Sequence, residues 1–215
     1  MDADMRNLER AAATGDRQAV EALARARRRL TGTAVLTADA FASRVTTQLG
    51  AVWAAIRAAH PELPAAVVVL ASGTTSSVRK WGHWGASRWD VAGERAGEVL
   101  IAGELLAPGA GYEPERPVAE RVLAVLLHEA AHALASVRGV PDTSRGGRYH
   151  NTRYAALARE VGLTCEQGPV HGWHLTRLTP AAVERYALAL ADLAEVLVGH
   201  RAPESEAAPT GRAAR

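Results

Sequence analysis

The chain has a single cysteine, Cys165, in 215 residues. A lone thiol forms no intrachain disulfide and builds no cysteine-rich zinc module. It has a single lysine, Lys80, so every other basic side chain apart from histidine is arginine. Aromatic residues make up only 5% of the chain, and three of its tryptophans, Trp81, Trp84 and Trp89, crowd into one stretch. No run of about 18 uninterrupted apolar residues occurs, which excludes a membrane-spanning helix. The start, Met1-Asp2-Ala3-Asp4-Met5-Arg6, is too charged for a signal peptide, so a cytoplasmic location and no membrane partner are expected. No internal repeat is visible. Neither sign of charge dominates, the net charge being +2. A strongly basic surface therefore has no compositional support.

What is present is enough apolar material for a sizeable core, at 48% of residues. The chain divides into a helical region over 1–60, a principal domain over 61–200, and an Ala/Pro/Glu/Arg-rich tail over 201–215 that is expected to be disordered. In the helical region, Asp16 is a candidate N-cap, and Arg25, Arg27, Arg28 and Arg29 form a cluster. A solvated helix face explains that cluster; contact with DNA or nucleoprotein is the alternative. Phe41, Val45, Leu49, Val52, Trp53 and Ile56 recur at helical spacing and predict a core-facing helix ending at His60-Pro61. Ala65–Leu70 and Glu98–Ala102 read as strands, Val78–Trp89 as a strand or hairpin arm, and Gly93–Gly97 as a turn. Cys165–Thr179 reads as irregular, and Pro180–Val198 as one final amphipathic helix.

The most informative stretch is Leu126-Leu127-His128-Glu129-Ala130-Ala131-His132-Ala133-Leu134. It lies in an Ala-rich apolar run without Gly or Pro, after Pro117 and before Gly139, and predicts a helix buried over most of its circumference. Residues four apart on a helix differ by about 40° in azimuth and about 6 Å in rise. His128 and His132 therefore point the same way and can share one metal ion. Glu129, turned by about 100°, can reach a water there without ligating the metal. That is the geometry of a zinc peptidase helix, with the Glu as general base.

A catalytic zinc needs a third protein ligand and an open position. The metzincin pattern would place Gly and His where Ala135 and Arg138 stand, so that class is excluded. Glu160 lies one turn too far along its helix, and Asp142 sits in the loop just after the motif helix. His150, at the expected start of a helix with Tyr154, Leu157, Ala158 and Val161 on its apolar face, is the choice. Tyr149, Tyr154, His171, His174 and Arg148 are candidates for a transition-state donor, although packing explains each of them as well.

The pair His128-Glu129-Ala130-Ala131-His132 and Gly147-Arg148-Tyr149-His150-Asn151-x-x-Tyr154 resembles the SprT-like zinc metalloprotease family, which includes the Spartan-type proteases. The resemblance covers roughly residues 63–180 and makes 61–200 the protease domain. It implies an α+β zincin core with a small mixed or antiparallel sheet packed on the active-site helix. It implies Zn2+ held by His128, His132 and His150, with Glu129 as general base. The C-terminal zinc ribbon of many members is absent, because Cys165 stands alone. The expected function is zinc-dependent hydrolysis of peptide bonds in a protein substrate, with strand 98–102 pairing with the substrate backbone. A zinc-stabilised nucleoprotein-binding module that cuts weakly or not at all is the alternative; hydrolysis of a non-peptide amide is a third reading.

Overall fold

In the computed structural model, which describes residues 2–203 except 15, 17, 21, 24–25, 27–36, 76–77 and 112, Asp2–Ala13 form helix α1 and Ala38–Ala59 form helix α2. Asp16 is a cap as expected, its Oδ1 accepting from the N–H groups of Gln18 at 2.9 Å and Ala19 at 3.2 Å. The arginine cluster at 25 and 27–29 lies outside the described residues. Thr37 Oγ1 accepts from the Ala40 N–H at 3.2 Å and opens α2, which stops before Pro61 as the proline requires. Its stripe of Val45, Leu49, Val52, Trp53 and Ile56 is buried.

Five strands follow: β1 (Ala66–Ala71), β2 (Thr74–Thr75), β3 (Val78–Arg79), β4 (Gly82–Val91) and β5 (Glu94–Ala102). β2 and β3 make a small separate hairpin, whereas β1, β5 and β4 form one sheet in that order. β5 runs parallel to β1 and antiparallel to β4. The turn expected over Gly93–Gly97 is shorter than that, because the reversal is confined to Ala92-Gly93, both with positive φ (54° and 89°). Such a two-residue turn matches the twist of a hairpin, so residues 94–97 are free to extend β5. One face of this sheet, carrying Gly82, Trp84, Gly97, Val99, Ile101 and Val68, is the face that packs on the helices. Trp84 lies across Gly97, where an added Cβ would come within 2.2 Å of the indole, and stacks on Trp53 of α2 with ring centroids 6.1 Å apart.

After a short 3-10 turn at Gly103–Leu106 comes helix α3, Val118–Val137. It is buried nearly all round, with Leu123, Leu126, Leu127 and Leu134 at 0% exposure, as its apolar circumference predicts. Buried Arg121 donates to the carbonyls of Ala107 and Ala110, tying the preceding loop to the helix. The chain then forms β6 (Thr143–Ser144), β7 (Tyr149–His150), α4 (Thr152–Glu160), β8 (Leu163–Gly168) and β9 (Gly172–Leu178). These strands make a second sheet in the order β6-β7-β9-β8. Residues 165–179 are thus largely a hairpin rather than irregular. Leu163, Cys165, Thr176 and Leu178 are buried between exposed polar residues, an alternation that is short on each strand and blurred by the inward polar Thr176.

The expected last helix is two helices, α5 (Pro180–Arg185) and α6 (Ala187–Val196), separated at Tyr186, whose backbone is not helical (φ −102°, ψ 17°). The expected tail is anchored at its start: the Arg201 N–H donates to Gly103 O at 3.1 Å and its guanidinium to Glu104 Oε1 at 2.7 Å. Residues 204–215 lie outside the described residues. The fold is mixed α+β, with α3 between the two sheets. Among the described residues no helix is long and apolar enough to cross a membrane.

Just past the end of α3, Arg138 clamps two elements, binding Glu62 Oε1 at 2.8 Å and Glu160 Oε1 at 2.7 Å. Hydrogen bonding to Arg138 is the chief cause that holds both carboxyls below their ordinary range. The stabilisation they supply is therefore present above that range and is lost as pH falls through the lowered values. Because the pairs are solvent-accessible, Arg138→Ala should lower Tm at pH 7 by only about 2–4 °C. The two melting temperatures should converge on titration into acid; an undiminished gap at pH ~2 would contradict this account.

Candidate metal centre

Three imidazoles converge above the middle of α3. His128 and His132 come from consecutive turns of one helix face, and His150 comes from the end of β7. One nitrogen of each lies within 4.8 Å of the other two. His150 does not start a helix, contrary to the expectation from the sequence. Asn151 intervenes as the N-cap of α4, its Oδ1 accepting from the N–H groups of Arg153 (2.8 Å) and Tyr154 (3.2 Å). The cap leaves His150 extended, and its N–H donates to His171 O at 2.9 Å, which sets its position against β9.

Each ring is oriented through its Nδ1. His132 Nδ1 lies 2.5 Å from Asp142 Oδ2, His128 Nδ1 lies 3.1 Å from Thr176 Oγ1, and His150 Nδ1 donates to His171 O at 3.2 Å. This places the proton on Nδ1 wherever the partner is a carboxylate or carbonyl, leaving Nε2 as the ligating nitrogen. His132 Nε2 and His150 Nε2 face each other at 3.2 Å. Two such lone pairs repel unless a proton or a metal cation lies between them. The separation matches the edge of a tetrahedron with metal–nitrogen bonds of about 2.0–2.1 Å, which is about 3.3–3.4 Å. The donor set therefore fits a divalent metal ion.

Beneath the rings lies Tyr154, fully buried, with its ring centroid 5.0, 4.7 and 4.5 Å from those of His128, His132 and His150. Burial, followed by the charges of the neighbouring histidines, lowers the pKa of His128 strongly and that of His150 to about 4. Both are neutral at physiological pH, as ligation requires. His132 shifts upward: burial opposes the shift, but the Asp142 hydrogen bond and the charges of Glu129 and Asp142 outweigh it.

Glu129 is 4% exposed and turned from the three imidazoles toward β4. The Trp84 N–H donates to its carboxylate. Gly82 is what admits it, since a Cβ there would sit 2.7 Å from Glu129 Oε1. Burial raises its pKa to about 7, against smaller opposing effects from His132, the Trp84 N–H and Lys80. A carboxyl of that kind gains and gives up a proton near neutral pH.

The other sequence candidates divide clearly. Asp142 orients His132, and Glu160 is held by Arg138, away from the metal ligands. Tyr149 contacts Gln167 and Arg145. His171 donates from Nδ1 to Arg148 O at 3.2 Å. His174 lies next to the cluster, 6.4 Å from His150 between ring centroids, but is not one of the three. Thr176 and the Trp84 N–H are not legible in the sequence; recognising the 163–178 hairpin would have pointed to Thr176.

The expectation that 98–102 pairs with substrate is overturned. β5 is the central strand, hydrogen-bonded on both sides, and β4 is the edge next to Glu129. The Ala102 N–H donates to Trp81 O at 2.9 Å, so by alternation His83 and Gly85 bond to β5 while Gly82 and Trp84 turn their backbone groups outward.

No family model, curated protein or solved structure matches this chain.

Purified protein should bind one divalent metal ion per chain by elemental analysis, and His132→Ala and His150→Ala should each abolish this. Asp142→Asn should keep the fold and weaken metal affinity by about 10–100-fold. Full metal affinity in His150→Ala would remove it from the ligand set.

Proposed function

We propose that the chain is a zinc-dependent metallopeptidase. The observation that carries the reading is the buried, non-ligating Glu129 beside three convergent imidazoles: a purely structural site has four protein ligands and no use for a base. Three nitrogen ligands suit zinc and leave a coordination position open. A zinc ion held there would acidify a water and polarise a carbonyl.

The outward backbone groups of Gly82 and the Trp84 carbonyl offer an extended peptide a strand edge to pair with, directly beside Glu129, which holds the Trp84 N–H. Glu129 accepts a proton from the water that attacks the peptide carbonyl. It then passes that proton to the amine nitrogen as the carbon–nitrogen bond breaks. Asp142, Thr176 and the His171 carbonyl hold the imidazoles in orientation throughout. The zincin-like description of the fold and membership of a SprT-like family belong to the same proposal, supported by the His128–His132 and Gly147–Tyr154 motifs. So does action on protein substrates in the cytoplasm. The nucleoprotein-binding alternative drew on arginines that lie outside the described residues.

Glu129→Gln should retain one zinc per chain and lose at least about 100-fold in peptide-bond cleavage, measured on a denatured protein and on a peptide library. Equal cleavage by this variant, or no cleavage by the zinc-loaded wild type on either substrate, would overturn the reading.

A further inference from the structure

Exposed cationic side chains stand on both sides of the cleft between β4 and the β6–β7 hairpin. On the β4 side stands Lys80, the only lysine. Its N–H donates to Gly73 O at 2.8 Å, which fixes its backbone two residues before Gly82, the glycine that abuts Glu129. It lies close enough for its charge to bear on both Glu129 and His83. On the opposite side is the tip of the β6–β7 hairpin, Arg145-Gly146-Gly147-Arg148, all exposed. Residues 145–147 have φ of 52°, 66° and 83°, so the tip turns tightly within a few residues of His150. The Arg145 guanidinium lies over the Tyr149 ring, 4.7 Å from its centroid, and the Arg148 carbonyl is bound by His171.

Among the described residues, none of Lys80, Arg145 and Arg148 forms an ion pair with a carboxylate. The carboxylates that flank the histidines are committed elsewhere: Asp142 to His132, and Glu129 to the Trp84 N–H. Other arginines on the surface do find carboxylates, Arg116 with Glu113 and Glu120, and Arg138 with Glu62 and Glu160. Cations left without a carboxylate on both sides of a cleft favour an anionic occupant. The strand edge between them selects a polypeptide over a nucleic acid, because the outward Gly82 backbone and the Trp84 carbonyl present a peptide hydrogen-bonding pattern.

We propose that the cleft takes an extended acidic peptide, its Asp or Glu side chains meeting Lys80 on one side of the scissile bond and Arg145 and Arg148 on the other. This rests on the metallopeptidase reading for the position of the scissile bond. The charge preference can be measured without turnover.

The test uses zinc-loaded full-length Glu129→Gln and three fluorescent decapeptides, Glu-rich, Lys-rich and Ser/Ala-rich, with binding read by anisotropy. The Glu-rich peptide should bind at least about tenfold more tightly than the Lys-rich one at low salt, the gap narrowing as salt is added. Lys80→Glu should cost the Glu-rich peptide about fivefold or more, and Arg145→Glu with Arg148→Glu should reverse the order. The same peptides with active enzyme should show the difference mainly in KM. Equal affinities, or an order untouched by these substitutions, would overturn the inference while leaving the peptidase reading intact. Charge-selective binding with no cleavage by wild type would do the reverse. If a single-stranded oligonucleotide binds through the same three residues and the Glu-rich peptide does not, the acidic-peptide assignment fails.

Discussion

Two imidazole nitrogens, His132 Nε2 and His150 Nε2, are held 3.2 Å apart by groups that leave their rings little freedom to turn away. Much of the local architecture serves this contact. Asp142 reaches His132 from the loop after α3, and its own carbonyl accepts the Asn151 N–H at 3.0 Å, next to His150. Asn151 returns a bond from Nδ2 to Pro141 O at 2.8 Å while its Oδ1 opens α4. One short segment thus positions both ligands, and the start of α4 brings Tyr154 beneath them. His128 is fixed independently, through Thr176 of β9. The site joins the helix to the second sheet, whereas Glu129 joins it to the first.

That division explains the glycines on the β4 side. The sheet must come close enough for a backbone N–H to reach a buried carboxylate on α3, and only a residue without a side chain at 82 allows it. Gly97 has the corresponding role in the neighbouring strand, letting Trp84 cross β5 to Trp53. The same closeness desolvates Glu129 and raises its pKa. Packing and chemistry here have one cause: the distance between an edge strand and a helix.

The features legible in the sequence are those written at short range. The i, i+4 histidines, the apolar circumference of α3, the Thr37 and Asp16 caps and the stop before Pro61 all depend on residues within a turn or two of each other. His150 is reachable because Glu160 fails on spacing and His150 sits where a second element should return to the motif helix. What the sequence hides depends on contacts between distant segments. Strand order is one case: β5 reads as a good strand, but its central place follows from β1, nearly 30 residues earlier, pairing on its far side. The β8–β9 hairpin is another, its alternation running for only a few residues on each strand and including the polar Thr176 on the buried face. Asp142 is a reasonable ligand by its distance along the chain; only the fold shows that it meets the wrong nitrogen of His132 for that role.

Three half-buried imidazoles and a buried carboxylate above a fully buried tyrosine are a costly arrangement beside a core. Each polar ring removed from water costs roughly 1–3 kcal/mol unless a partner replaces its hydrogen bonds. The Nδ1 atoms have such partners, and the Nε2 atoms of His132 and His150 lie against each other, where a shared proton or a metal cation satisfies both. An apolar replacement would remove that demand, and α3 has the alanine- and leucine-rich surroundings to accept one. The sequence instead keeps the imidazole pair and adds Asp142, which makes His132 a stronger electron-pair donor. A metal cation between the nitrogens would ligate both, and its binding energy would add to that of folding. The convergent nitrogens and the groups that orient them thus suit a metal ion on their chemistry, beside what the motif implies.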